Sequence, residues 1–250
     1  GASEVSGGAW AGGRGVGGKK CEFVLGHNVD AKFPSINDFT SGLATVLKPK
    51  GVVTLEFPHR INLIRLCQFD TIYHEHYSYL SLAVVQRIFA KAGLRVFDVE
   101  ELETHGGSLR IYGCRQDAKH IQTENVQRIL SAEQNAGLES LDTYSSFQSR
   151  AEKIKLDFLS FLVDAKQRDK KVVAYGAAAK GNTLLNFAGV KPDLLPMIFD
   201  AANAKQGKFM PGSHIPISPP DALTKAGADY VVILPWNIAA EVMEKTKGLV

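Results

Sequence analysis

The residues best equipped for chemistry are concentrated in Asp70-Thr71-Ile72-Tyr73-His74-Glu75-His76-Tyr77-Ser78-Tyr79, which packs two imidazoles, three phenols and the Glu75 carboxylate into one short segment. Histidine titrates near neutral pH and can take or return a proton, and a neighbouring carboxylate can fix its tautomer and raise its basicity. A tyrosine hydroxyl can hold a developing oxyanion. Those are the parts needed to remove a proton beside a carbonyl and to stabilise the enolate. Two other readings stand beside this one. Aromatic, histidine-rich loops also pack under sheets, and His-Glu-His could hold a metal. His74 and His76, two apart, would point to opposite faces of a strand, and the helical His-Glu-x-x-His spacing is absent.

A second candidate is Val172-Val173-Ala174-Tyr175-Gly176-Ala177-Ala178-Ala179-Lys180-Gly181-Asn182-Thr183, a β-run, a small-residue turn and a helix start. Bare amides at a helix N-terminus beside a lysine suit an anion. The order Lys180-Gly181 is not that of a P-loop, which needs Gly-Lys-[Ser/Thr]. Asp200 ends the next β-run, close to the ~20-residue offset at which dinucleotide folds keep an acid for a ribose. Small residues here could equally serve close packing of helix on strand.

The elements that must position these groups follow from periodicity. Cys21–Leu25 and Gly51–Pro58 read as buried strands, and Phe39, Leu43, Val46 and Leu47 share one helical face between them, a helix ended by Pro49-Lys50-Gly51. Leu82–Ala92 is an amphipathic helix, followed by strands at Leu94–Val99 and Ser108–Cys114 joined around Thr104-His105-Gly106-Gly107. Helical spacing returns between residues 118 and 169, broken at Gly137. Beyond it come β-runs at Lys171–Tyr175, Leu195–Phe199 and Tyr230–Leu234, with helices at Lys180–Phe187, Asp221–Ala226 and Ile238–Lys247. Such alternation predicts parallel strands with helical crossovers. The predicted organisation is a glycine-rich leader at 1–20, an α/β unit at 21–117, a helical connector at 118–150 and a second Rossmann-like α/β unit at 151–250. The leader's Gly13-Arg14-Gly15-Val16-Gly17 has no strand before it and no helix after it, which disfavours a nucleotide loop.

Composition narrows the class without choosing a function. An apolar share of 45%, a charged share of 22% and a net charge of +3 fit a globular protein with no demand for nucleic acid or a membrane surface. Cys21, Cys67 and Cys114 make neither a disulfide framework nor a Cys-x-x-Cys metal site. No apolar run approaches the roughly 18 residues that span a bilayer. A cytoplasmic location is expected.

Phe69–Ser81 (FDTIYHEHYSYLS), Val96–Tyr112 (VFDVEELETHGGSLRIY), Val173–Asn186 (VAYGAAAKGNTLLN) and Gln206–Ile217 (QGKFMPGSHIPI), in that order, resemble the C-terminal half of the sugar C-methyltransferases. The resemblance runs from about residue 24 to 250. It implies an α/β fold, a partial class I methyltransferase (Rossmann-like) sheet followed by a second Rossmann-like domain. It implies S-adenosylmethionine as cofactor and a nucleotide-linked 4-keto-deoxysugar as substrate, methylated on the carbon beside the ketone by way of an enolate. By similarity Tyr73, Glu75 and His76 are catalytic: His76 as base or relay, Glu75 as its orienter, Tyr73 as a proton-transfer or oxyanion contact. His74, Tyr77, His105 and Gly106 are implied substrate contacts, together with Gly176, Lys180, Asn182, Asp200, Lys205 and His214, and more weakly Lys208.

The chain also departs from that pattern. The family opens with a cysteine-rich zinc module and a strand with a glycine loop for S-adenosylmethionine, and neither is found here, so the expectation is a truncated chain with no metal site of its own and weak donor binding. Lys32 stands where the family places a histidine. The runner-up function is a non-catalytic sugar-nucleotide-binding module. A nicotinamide-dependent oxidoreductase built on the Gly176 turn is disfavoured because no Gly-x-Gly-x-x-Gly accompanies it.

Overall fold

A computed structural model of the chain describes residues 20–27 and 33–248. Residues 1–19 of the glycine-rich leader, and Lys32, fall outside the described residues. By packing the chain divides into two units: one holds the residues up to Leu66 together with His74–Ser145, the other holds Cys67–Tyr73 together with Ser146 onward.

In the first unit, β1 (Cys21–His27) is followed by α1 (Ile36–Val46), β2 (Leu47–Pro58), the short α2 (Arg60–Arg65), α3 (Leu82–Lys91), β3 (Leu94–Leu102), β4 (Ser108–Arg115), α4 (Glu124–Asn135) and the one-turn α5 (Asp142–Ser145). Leu47, expected on the helix, is instead the first residue of β2, opposite Cys21, with an extended backbone. Pro49 explains the early switch: it pushes Lys48 out of the helical region, and helices end at or before the residue that precedes a proline. The sheet order is β1-β2-β4-β3. Strands β1 and β2 are parallel, as the alternation predicts, but β4 runs antiparallel to both β2 and β3. The reason is the connection: only Glu103–Gly107 separates β3 from β4, too few residues for the helical crossover a parallel pair needs. Gly106 and Gly107 make the reversal with φ of 84° and 106°. Every second residue of the central strands, Val53, Leu55, Phe57, Leu109 and Ile111 among them, is buried against Val85 and Phe89 of α3 and Val126 and Ile129 of α4. Helix α4, expected in the connector, therefore closes the core of the first unit, and the division by packing falls between Ser145 and Ser146.

In the second unit, α6 (Phe147–Gln167) leads into β5 (Val172–Tyr175), α7 (Ala179–Ala188), β6 (Ile198–Phe199), β7 (Ile217–Ser218), β8 (Tyr230–Ile233) and α8 (Ala239–Thr246). The order is β7-β6-β5-β8, all parallel. Strand β5 is buried along its whole length, as an all-apolar run in a parallel sheet should be. Leu162 and Ala165 of α6 and Leu185 and Ala188 of α7 cover one side, while Val173, Tyr175, Phe199, Leu223 and Val242 form a second cluster. The helix expected at Asp221–Ala226 shrinks to a 3-10 turn at Pro220–Ala222, because paired prolines and Gly227 leave no length for it. Among the described residues no helix is long and apolar enough to cross a membrane.

Candidate functional site

The histidine-rich segment is placed by two kinds of anchor. In the first unit it runs into α3, whose N-terminus is held by a carboxylate from a distant helix. Glu133 of α4 accepts hydrogen bonds from the amides of Leu82 (2.5 Å) and Ala83 (2.9 Å) and from His59 Nε2 (2.9 Å). Both Glu133 and His59 are 3% exposed. Burial alone would raise the Glu133 carboxyl, yet His59 and the two amides overcome that and hold it below the usual carboxylate range. The His59 amide in turn donates to the carbonyl of Gly107 (3.0 Å), and the Arg60 amide to that of Leu80 (3.0 Å). The end of β2, the Thr104–Gly107 turn and the start of α3 thus share one buried polar node. Glu133 follows Val126 and Ile129 on the inward face of α4, a helical spacing that was legible in the sequence.

A second carboxylate secures the other end of that turn. Glu56, buried on β2, accepts from the Thr104 hydroxyl at 3.0 Å and from the Arg110 guanidinium at 3.1 Å. Gly106 is therefore held in a fixed reversal; the side chain of His105 lies outside what the structure describes.

Within the segment, His74 and Glu75 sit exposed in a turn, His76 is half-buried and Tyr77 is exposed. The Tyr79 ring meets the His76 ring edge-on at 6.4 Å, and its hydroxyl donates to the His76 carbonyl at 3.3 Å. Burial pushes the Tyr79 phenol up, keeping it a neutral donor. Tyr79 is the backing group for His76. Its place in the aromatic cluster was visible in the sequence, its partner was not. A groove of about 810 Å³ opens beside Glu133, lined by Arg60, Ser81, Arg87 and Glu139 among others. Its charges are of both signs, and Arg87 pairs with Glu139.

Tyr73 belongs to the second unit. The chain enters that unit at Cys67, a buried non-glycine residue with φ of 49° whose Sγ donates to the Phe147 carbonyl. Burial raises its thiol, which is a packing group and not a thiolate nucleophile. Phe69 packs on Phe187 of α7 at 5.3 Å. Asp70, 6% exposed, accepts a 2.7 Å hydrogen bond from the indole nitrogen of Trp236. The Tyr73 amide closes the turn onto the Thr71 carbonyl.

Around α7 the expected residues are distributed unequally. A Cβ at Gly176, whose φ is 92°, would lie 2.4 Å from Pro235 Cδ, and one at Gly181 would lie 2.7 Å from Leu234 Cβ. Close packing against the loop after β8 accounts for both glycines. Lys180 is half-buried with its ammonium 5.1 Å from the centre of the Trp236 ring. Burial pulls its pKa below the usual lysine range, and the Asp70 carboxylate opposes that. Asn182 Oδ1 is enclosed without a hydrogen-bond partner. Such an atom is costly unless a ligand donor reaches it. Asp200 accepts from the Ala177 amide (2.7 Å), the Ala202 amide (2.8 Å) and Lys205 (3.2 Å), so the carboxylate and Lys205 hold each other and brace the turn after β5. His214, exposed with φ of 59°, sits in the Met210–Ile215 turn, and Lys208 is exposed nearby in sequence.

Among the described residues no group of histidine, cysteine, aspartate and glutamate could hold a metal ion. Nor does the described part of the first unit contain a glycine-rich strand–loop–helix passage able to cradle S-adenosylmethionine: β1 ends at His27, and α1 begins after Phe33-Pro34-Ser35. No step below passes through the methyl donor.

A mixed sheet with an antiparallel β3–β4 tail, joined to an all-parallel unit with a strand–glycine turn–helix, defines an α/β protein with a Rossmann-like fold. The family model for the C-methyltransferase C-terminal domain matches residues 103–250, more than half of the chain, and the chain belongs to that family. It is 34% identical over 224 residues to the C-methyltransferase NovU of Streptomyces niveus, across 90% of this chain and 53% of that protein. The chain thus spans about half the length of this relative. Among solved structures it is similar to a putative S-adenosylmethionine-dependent methyltransferase from Listeria monocytogenes (13% identity, 41% of this chain and 65% of that one, TM-score 0.33). It is also similar to magnesium protoporphyrin IX methyltransferase from Synechocystis (16% identity, 39% and 46%, TM-score 0.32). Similarities this distant add nothing to the fold read from the strand order.

Proposed function

We propose that this chain carries the sugar-handling residues of an S-adenosylmethionine-dependent C-methyltransferase acting on the carbon beside the ketone of a nucleotide-linked 4-keto-deoxysugar. The observation that carries the reading is the Tyr73–His76 segment. Solvent-facing Glu75 stands next to a half-buried imidazole that Tyr79 backs, and a half-buried phenol precedes them. Membership of the C-methyltransferase family and the likeness to NovU support it.

In this reading His76, directly or through a relay, accepts the proton from the carbon beside the ketone, and Glu75 orients its ring. Tyr73 donates a hydrogen bond to the ketone oxygen as that oxygen takes the negative charge of the enolate. His74, Tyr77 and Gly106 are the sugar contacts in this reading. The nucleotide portion lies at the start of α7, where Lys180 offers positive charge, Asn182 its unpartnered oxygen and the Gly176 turn its backbone. Asp200 and Lys205 support this turn, and His214 contributes from the Met210–Ile215 turn.

The test is hydrogen exchange. The chain incubated in heavy water with a nucleotide-linked 4-keto-deoxysugar should place deuterium on the carbon beside the ketone. His76→Asn and Glu75→Gln should each slow this by ~100-fold or more, the usual worth of a positioned acid–base group. No exchange by the wild-type chain, or full exchange by both variants, refutes the reading.

A further inference from the structure

We infer that Asp70 and Trp236 are a positioning pair that locks Tyr73 and Lys180 into one frame inside the second unit. The inference rests on the sugar C-methyltransferase reading above. Asp70, Lys180 and Trp236 are far apart in sequence, and nothing in their local patterns links them. In the structure the Trp236 indole N–H donates to Asp70 Oδ2 at 2.7 Å, and the Lys180 ammonium stands 5.1 Å from the Trp236 ring centre. One tryptophan therefore touches both the turn that leads into Tyr73 and the lysine at the start of α7.

The surroundings give the pair little freedom. Asp70 is 6% exposed, and its other oxygen is buried with no hydrogen-bond partner. A carboxylate so enclosed depends on the bond it does make and on the Lys180 charge that acts on it. The Trp236 backbone is fixed too: its amide donates to the Leu234 carbonyl at 2.9 Å. The preceding Pro235 ring fills the space that a Cβ at Gly176 would need. The glycine turn, Trp236, Lys180 and the Phe69–Thr71 turn are thus packed as one body, with Phe69 on Phe187 as its apolar side. Tyr73 follows that body after Ile72, its amide bonded to the Thr71 carbonyl. A phenol meant to meet a developing oxyanion needs its turn held to within about half an ångström, and this pair supplies the hold. The cation over the indole face adds a preference for the placed Lys180 ammonium.

The experiment compares Trp236→Phe, which keeps a ring but loses the donor, with Asp70→Ala and Asp70→Asn. Each full-length variant is assayed for deuterium exchange into the 4-keto-sugar, with kcat and KM separated and binding stoichiometry measured by calorimetry. Trp236→Phe and Asp70→Ala should lower kcat ~10-fold or more at a stoichiometry near one, while Asp70→Asn, still an acceptor, recovers most of the rate. A stoichiometry that falls in step with kcat overturns the inference, because the loss is then of folded protein. Rates within twofold of wild type, or equal losses in Asp70→Asn and Asp70→Ala, also overturn it, and both leave the sugar chemistry standing. Absence of exchange in the wild-type chain instead removes the functional reading, and the inference with it.

Discussion

The first unit fixes its polar loops with buried carboxylates from distant elements, whereas the second shapes the turn after β5 with backbone and reserves a buried carboxylate, Asp70, for the turn before Tyr73. In the first, Glu133 gathers His59 and the α3 amides, and Glu56 gathers Thr104 and Arg110, so each loop is pinned by a side chain from another element. In the second, the turn after β5 is shaped by a left-handed glycine against a proline ring, and the carboxylate of Asp200 accepts from the amides around it. The difference follows from topology. A mixed sheet with short reversals leaves amides and histidines facing inward that only a charged acceptor satisfies. A parallel sheet brings its helix N-termini and strand ends together on one edge, where close approach decides the shape.

The sharpest way to break this comparison is Glu133→Ala, which strips His59 and the α3 amides of their acceptor in a buried site. The expected loss is about 3 kcal/mol or more. Native-state amide exchange should show it in α3 and β4 while β5 stays protected. Equal loss in β5 would mean that the two units do not respond separately. The same residue has a pH signature. Its carboxyl is lowered on folding, so its contribution is complete above about pH 4.3, the ordinary glutamate value, and is lost as pH falls through the lowered folded value. Urea midpoints of Glu133→Gln should be flatter than wild type across that acid range, and a parallel acid dependence would sink the assignment.

Gly176→Ala tests the backbone side of the comparison. The left-handed φ and the Pro235 contact together should cost about 2–3 kcal/mol, visible as a lowered urea midpoint with an unchanged slope. A neutral result would show that neither the φ nor the Pro235 contact requires glycine there. The smallest effect calibrates the other two. Lys153→Ala breaks an exposed i,i+4 pair with Asp157 on α6 and should move stability by no more than about 0.5 kcal/mol in thermal melts.

Much of this was legible without coordinates. The buried runs of β2, β4 and β5, helices α3 and α7, the break at Gly137 and the chemical density of residues 70–79 all follow from local periodicity and residue type. The antiparallel β4 was missed because periodicity reports which residues face inward and not strand direction. The loop length between Leu102 and Ser108 held that information. Glu133 was also readable, as an acid on an apolar stripe, but its partners were not.

By itself the sequence determined the α/β class and the kinship to C-methyltransferases, and singled out the Tyr73–His76 segment as a candidate, because residue types and near-neighbour spacing carry those. Only the tertiary structure decided that Tyr73 packs with one unit and His74 with the other, that Asp70 meets Trp236, and that Asp200 serves its own turn. Those are contacts between residues far apart in the chain. Their energies depend on burial and direction in space, which no local pattern encodes.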